Sequence, residues 1–169
     1  MLHETKARTM TASALYTLGY EGLTIEAFLE RLKQARIQLV VDVRELPLSR
    51  KKGFSKTAFR EALVAAGIAY EHRSALGCPK PVRDRYRADR DWQAYTRGFL
   101  AHLALQKSEI ADLTETTQAR TACLVCFEAD FSFCHRTYVA RAARQAGAPA
   151  VQHLNARTVI ADSRVRLAA

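Results

Sequence analysis

No stretch of this chain approaches the roughly 20 apolar residues that a membrane span needs, although 49% of its 169 residues are hydrophobic. The first eighteen residues hold Lys6 and Arg8 but no apolar run of the kind that directs export. These two absences leave a cytoplasmic protein without membrane contact as the expectation. Internal repeats and low-complexity tracts are also missing, which excludes a repeat architecture. Without an export signal, the 4 cysteines are expected as reduced thiols, not as a disulfide frame. Each of them then needs a role of its own.

Acidic residues are in short supply as well. Against 17 Asp and Glu stand 26 Lys and Arg, 19 of them arginine, for a formal charge of +9. Such a balance favours anionic partners, a phosphate-bearing small molecule or nucleic acid. The arginine run Arg83-Asp-Arg-Tyr-Arg-Ala-Asp-Arg90 alternates with acids, so its own net charge is modest. The length suits one domain with a core of its own. We expect an N-terminal extension over 1–13, a single α/β domain over 14–154 and a basic C-terminal tail over 155–169. The sequence carries no signal of oligomeric state.

Ala14–Leu18 reads as a strand, and Gly19 and Gly22 allow a tight turn after it. Thr24 is placed to cap a helix whose apolar positions Ile25, Phe28, Leu29 and Leu32 recur at helical spacing. Leu39-Val-Val-Asp-Val43 follows as a β-branched run suited to a strand covered on both faces. Strand, helix, strand makes a β-α-β unit and hence parallel strands. A basic loop, a helix through Phe59 and Leu63, and a short strand Ile68–His72 come next. Helical spacing returns from Trp92 to Gln106 and from Ile110 to Thr116. Thr121–Phe127 is a fourth strand, Cys134–Ala146 a helix and Val151–Leu154 a fifth strand. The fold class is therefore α/β: a three-layer sandwich, Rossmann-like or flavodoxin-like, with a mostly parallel sheet of about five strands and helices on both faces.

Parallel strands end on a common edge, where α/β proteins keep their sites. Those ends carry Tyr20 and Glu21, then Asp42 and Arg44, His72, and finally Cys126 and Glu128 with Cys134, His135 and Arg136 just beyond. Asp42 inside an apolar strand needs a cation to offset its desolvation, and Arg44 is the nearest. Cys123 and Cys126, three apart in a strand, point to opposite faces; Cys123 belongs to the core. Adjacent Cys134 and His135 are awkward ligands for one ion and no second cysteine pair is present, so neither a metal nor another cofactor is expected. Cys134 opens a helix, where free N–H groups and the dipole favour a thiolate, with Ser132 or Asp130 as the cap. His135 is then a proton acceptor, and Glu128 a general base or an orienting partner. A phosphatase cradle needs Cys, five residues and Arg, and neither Cys126 nor Cys134 meets that spacing. A thioredoxin-type pair sits at a helix start, whereas Cys123 and Cys126 lie within a strand.

The ordered set Thr17-Leu-Gly-Tyr20, Val41-Asp-Val-Arg44 with Pro47 and Ser49, Leu76-Gly77, Trp92, and Cys126-Phe-Glu128 followed by Cys134-His-Arg136 resembles the family of domain of unknown function 488. The resemblance covers roughly residues 14 to 154. It implies an intracellular α/β domain whose signature residues stand at strand ends, and it carries no reaction with it.

Three functions are open on these residues. The first is an enzyme acting on a nucleotide or nucleic acid, with Cys134, Glu128, His135 and Asp42 as its catalytic groups. Arg44 and Arg136 would hold phosphate, and Tyr20, Cys126, Arg50, Lys51 and Lys52 would complete the binding surface. The second is a non-catalytic nucleic-acid-binding module built on the basic loop and the Arg83–Arg90 run. The third is a thiol-based redox or sulfur-transfer protein using Cys126 and Cys134.

Overall fold

In Leu39–Asp42 and Ala122–Cys126 every residue is buried, as strands covered on both faces require. A computed structural model describes residues 14–163. The extension expected over 1–13 and the end of the expected tail, 164–169, lie outside the described residues. Six strands form one sheet: β1 (Leu15–Gly19), β2 (Leu39–Asp42), β3 (Ala69–His72), β4 (Ala122–Cys126), β5 (Val151–Leu154) and β6 (Val159–Ala161). Their order is β3-β2-β4-β1-β5-β6; the first five run parallel and β6 pairs antiparallel with β5. β1 and β2 are thus parallel, as a β-α-β unit must be, but β4 lies between them.

The helices are α1 (Ile25–Gln34), α2 (Lys56–Ala65), α3 (Lys80–Asp89), α4 (Trp92–Ala104), α5 (Lys107–Ala119) and α6 (His135–Gln145). Thr24 caps α1 by accepting from the Ala27 N–H at 3.1 Å. On one face of the sheet Phe28, Leu32, Phe59 and Leu63 of α1 and α2 pack on Leu18, Val40 and Val125. On the other, Phe99, Leu113, Val139 and Ala140 of α4, α5 and α6 pack on Leu39, Val41 and Leu124. Cys123 lies in the first core and Cys126 in the second, following strand alternation.

Helix α3 was hidden from periodicity because none of its residues is buried. Val82 and Tyr86 pack in part against the core, and ion pairs one turn apart, Lys80 with Asp84 and Arg85 with Asp89, lie on its exposed side. Strand β6 comes from the segment read as a tail. The Asn155 carboxamide oxygen accepts from the N–H groups of Arg157 and Thr158 at 2.9 and 2.7 Å, which turns the chain back onto β5. No helix of the described residues is long and apolar enough to cross a membrane.

Candidate functional site

At the C-terminal edge of the sheet, β1 and β4 keep pairing beyond their ends. The N–H groups of Tyr20 and Glu21 donate to the carbonyls of Cys126 and Phe127 at 3.1 and 2.8 Å. Gly19 makes this possible, because a Cβ there would stand 1.7 Å from the Glu128 carbonyl oxygen. The Glu21 carboxylate accepts from the Ala129 N–H at 2.9 Å and holds the loop after β4. Asp130 then caps the short turn Phe131–Phe133 through the Ser132 N–H at 2.8 Å. Cys134 is itself the N-cap residue of α6, in extended conformation (φ −139°, ψ 137°), and its sulfur makes no cap bond.

This path folds Cys134 and His135 back onto the end of β4. One donor atom each from Cys126, Cys134 and His135 lies within 4.8 Å of the others. Adjacency in sequence therefore does not keep Cys134 and His135 from converging, because the backbone passes from extended to helical between them. The His135 Nε2–H donates to the Val43 carbonyl at 2.7 Å, which leaves Nδ1 to face Cys126 Sγ at 3.8 Å. Cys134 Sγ meets the Glu128 carboxylate at 3.2 Å. Arg136 is fully buried and donates to the carbonyls of Glu128 and Ala129.

Burial opposes ionisation of Cys134, but the hydrogen bond from Cys126 and the charges of Arg136 and His135 outweigh it, so this thiol ionises well below the ordinary range. Cys126, bonded to Cys134 and buried beside that charge, is pushed well above it. Burial, with the Cys134 charge second, raises the Glu128 carboxyl to about 7. The 3.2 Å contact between a thiolate and a carboxylate needs one proton, and both groups are suited to share it. His135 loses basicity to burial but gains more from the hydrogen bond and charge of Cys134, and its pKa rises.

A second group lies on the opposite face of the sheet. The Arg44 guanidinium donates to both carboxylate oxygens of Asp42, at 2.8 and 2.6 Å, and to the Tyr20 hydroxyl and the Phe54 carbonyl at 3.1 and 2.7 Å. Tyr70 donates to Asp42 at 2.6 Å. Sequence reasoning missed this tyrosine, because nothing in the sequence places β3 beside β2. Desolvation works against the charge on Arg44, but Asp42 more than restores it. His72 bonds the Arg44 carbonyl at 2.8 Å. Arg44 and Arg136 are thus hydrogen-bonded inside the protein, and Asp42 is fully buried against Arg44.

Above these groups opens a cavity of about 780 Å³. Cys126, Glu128 and His135 form part of its lining, together with the aromatic rings of Tyr20, Trp92 and Tyr95. The cations on the lining are Arg50, Arg83, Arg87 and Arg90, besides Arg44. Arg50, Arg87 and Arg90 are exposed, Arg87 pairing with Asp84 at 3.4 Å, and Arg83 pairs with Glu45 at 2.8 Å. Lys51 and Lys52 do not line it, and the Lys51 ammonium lies 6.0 Å from the Phe54 ring. Tyr86, Trp92 and Tyr95 form one aromatic cluster, with centroids 4.6 to 5.6 Å apart. Periodicity assigned Trp92 and Tyr95 to a helix face without revealing that the same face walls a pocket. Cys78 also lines it, and burial pushes its thiol up to about 11.

A family model described as Domain of unknown function DUF488 matches residues 24–143, from the start of α1 into α6. Neither a curated protein nor a solved structure matches the chain.

Proposed function

The chain belongs to the family described as Domain of unknown function DUF488, and we propose that it is an enzyme acting on a phosphate-bearing aromatic molecule of nucleotide size. The observation that carries this reading is the composition of the one cavity over the Cys/His centre. Its lining brings together the cations Arg50, Arg87 and Arg90, the rings of Tyr86, Trp92 and Tyr95, and the reactive groups Cys126, Glu128 and His135. Arginine side chains suit phosphate oxygens through charge-assisted, two-point hydrogen bonds. Rings such as Trp92 and Tyr86 suit stacking on a base. About 780 Å³ falls within the range of small-molecule sites.

A concave pocket favours a mononucleotide, or a nucleotide end, over a duplex laid along a surface. The α3 arginines support the same choice, because Asp84 and Asp89 neutralise part of their charge. At the reacting end, Glu128 near neutrality is suited to exchange protons with a substrate, and Cys134 is the electron-rich sulfur beside it. All four cysteines are free and buried, which fits a reducing compartment such as the cytoplasm.

The test is calorimetric titration with nucleoside monophosphates and triphosphates, sugar phosphates of equal charge, and short oligonucleotides. Saturable binding of a nucleotide, at least tenfold tighter than that of the matching sugar phosphate, supports the reading. Equal affinities, or binding of oligonucleotides alone, would contradict it.

A further inference from the structure

Cys126, Cys134 and His135 come from two separate places in the chain, the end of β4 and the start of α6, and all three are buried. We propose that they form a three-ligand site for a zinc-class divalent ion, with the remaining coordination position open to the pocket. Their donor atoms lie within 4.8 Å of one another, and no other group of three such side chains converges among the described residues. Ligand atoms on a tetrahedral ion with Zn–S of about 2.3 Å and Zn–N of about 2.0 Å stand roughly 3.5 to 3.8 Å apart. Cys126 Sγ and His135 Nδ1 are already at 3.8 Å. Small side-chain adjustments complete the set.

The surrounding groups are those a metal site needs. A ligating histidine carries its proton on the nitrogen away from the ion and donates it to a fixed acceptor. His135 does so through Nε2 to the Val43 carbonyl at 2.7 Å, which presents the Nδ1 lone pair to the two sulfurs. Two thiolates and a neutral imidazole carry two negative charges, equal and opposite to those of the ion. Next to them lie the fully buried Arg136 guanidinium and, 3.2 Å from Cys134 Sγ, the Glu128 carboxyl group.

Three ligands separate this arrangement from a closed structural site. A structural zinc has four protein ligands, whereas Cys₂His with one open position is a set used for catalysis. Cys126 and His135 line the cavity, and Glu128 does so 3.2 Å from Cys134 Sγ. A water or substrate oxygen on the ion would find Glu128 as its proton acceptor. That use of the open position rests on the reading of the cavity as a reaction site; metal binding itself does not.

The test is metal content and cobalt titration of the full chain, purified with reductant. The proposal expects close to one equivalent of zinc in the purified protein. After its removal, Co²⁺ should bind with equal stoichiometry and show thiolate-to-cobalt charge-transfer and tetrahedral d–d bands. Cys126→Ser, Cys134→Ser and His135→Ala should each weaken cobalt binding by at least a hundredfold, while Cys123→Ala, on the other face of the sheet, retains it. Circular dichroism identifies any variant that fails to fold. In that event the wild-type bands decide, since they require sulfur ligands. No cobalt uptake, uptake that survives both Cys126→Ser and Cys134→Ser, or a metal-free protein holding a Cys126–Cys134 disulfide that reduction does not convert to a cobalt binder would each overturn the proposal. Cobalt binding without nucleotide binding supports the site and removes the nucleotide reading; nucleotide binding without cobalt binding does the reverse.

Discussion

Asp42 and Arg44 meet through two hydrogen bonds, Nε to Oδ1 at 2.8 Å and Nη2 to Oδ2 at 2.6 Å, with both side chains buried. Breaking a buried pair by removing one partner leaves the other charge uncompensated, at a cost of about 3–5 kcal/mol. Asp42→Asn is expected to lower stability by that order in urea unfolding. A loss under about 1 kcal/mol would mean that Tyr20 and the Phe54 carbonyl suffice to hold Arg44.

Two glycines at the end of β1 separate close approach from backbone strain. Gly22 has φ +78° and open space around its Cβ position, so Gly22→Ala is expected to cost about 1 kcal/mol through strain alone. Gly19→Ala instead collides with the Glu128 backbone, and overpacking of this kind costs about 1–3 kcal/mol. Gly19→Ala also displaces Glu128 and the Arg136 anchor. Nucleotide binding should therefore fall in Gly19→Ala and persist in Gly22→Ala, measured by titration beside thermal unfolding.

His153 supplies a pH dependence away from the site. It is buried, stacks on Phe131 at 3.9 Å and bonds the Thr17 hydroxyl at 2.7 Å. Burial lowers its pKa from 6.5 to about 4. Below pH 6.5 the unfolded chain takes up a proton that the folded protein refuses until about pH 4. Its contribution is complete above pH 6.5 and is lost as the pH falls toward 4, on the order of 3 kcal/mol. Glu128, with its carboxyl raised to about 7, acts in the opposite sense over this window in both proteins, so as the pH falls from 6.5 to 4 the wild-type denaturant midpoint should fall relative to that of His153→Gln. Equal slopes would place the titration elsewhere.

The exposed arginines at the pocket are expected to act through charge. Arg87→Ala and Arg90→Ala should each weaken nucleotide binding about tenfold, as loss of one charge-assisted hydrogen bond does, and should reduce its salt dependence. Lys52→Ala, outside the cavity, should leave affinity unchanged. Titrations at two ionic strengths check both statements. A Lys52→Ala effect equal to that of Arg90→Ala would move the anion site to the basic loop.

Residue types at strand ends made the edge of the sheet legible in advance: Asp42 with Arg44, and Cys126 with Glu128, stand where β2 and β4 finish. Strand alternation likewise assigned Cys123 to the core. Periodicity reports which face of an element is apolar but not which strands are neighbours, so the insertion of β4 between β1 and β2 was invisible. The inward engagement of Arg44 and Arg136 was hidden for a related reason. Their partners include the carbonyls of Phe54, Glu128 and Ala129, and carbonyls leave no mark in a sequence. Helix α3 escaped because none of its residues is fully buried and only Val82 and Tyr86 pack, in part, against the core. The convergence of Cys134 and His135 on Cys126 depends on the extended N-cap of α6, a backbone feature that residue types do not announce.

The most direct test of the central claim is a crystal structure of the full chain with the nucleotide that binds best in solution. We predict its phosphates at Arg87 and Arg90, its base against Tyr86 or Trp92 and its reacting end toward Glu128. A nucleotide bound outside this cavity, or with its phosphates remote from these arginines, would contradict the account.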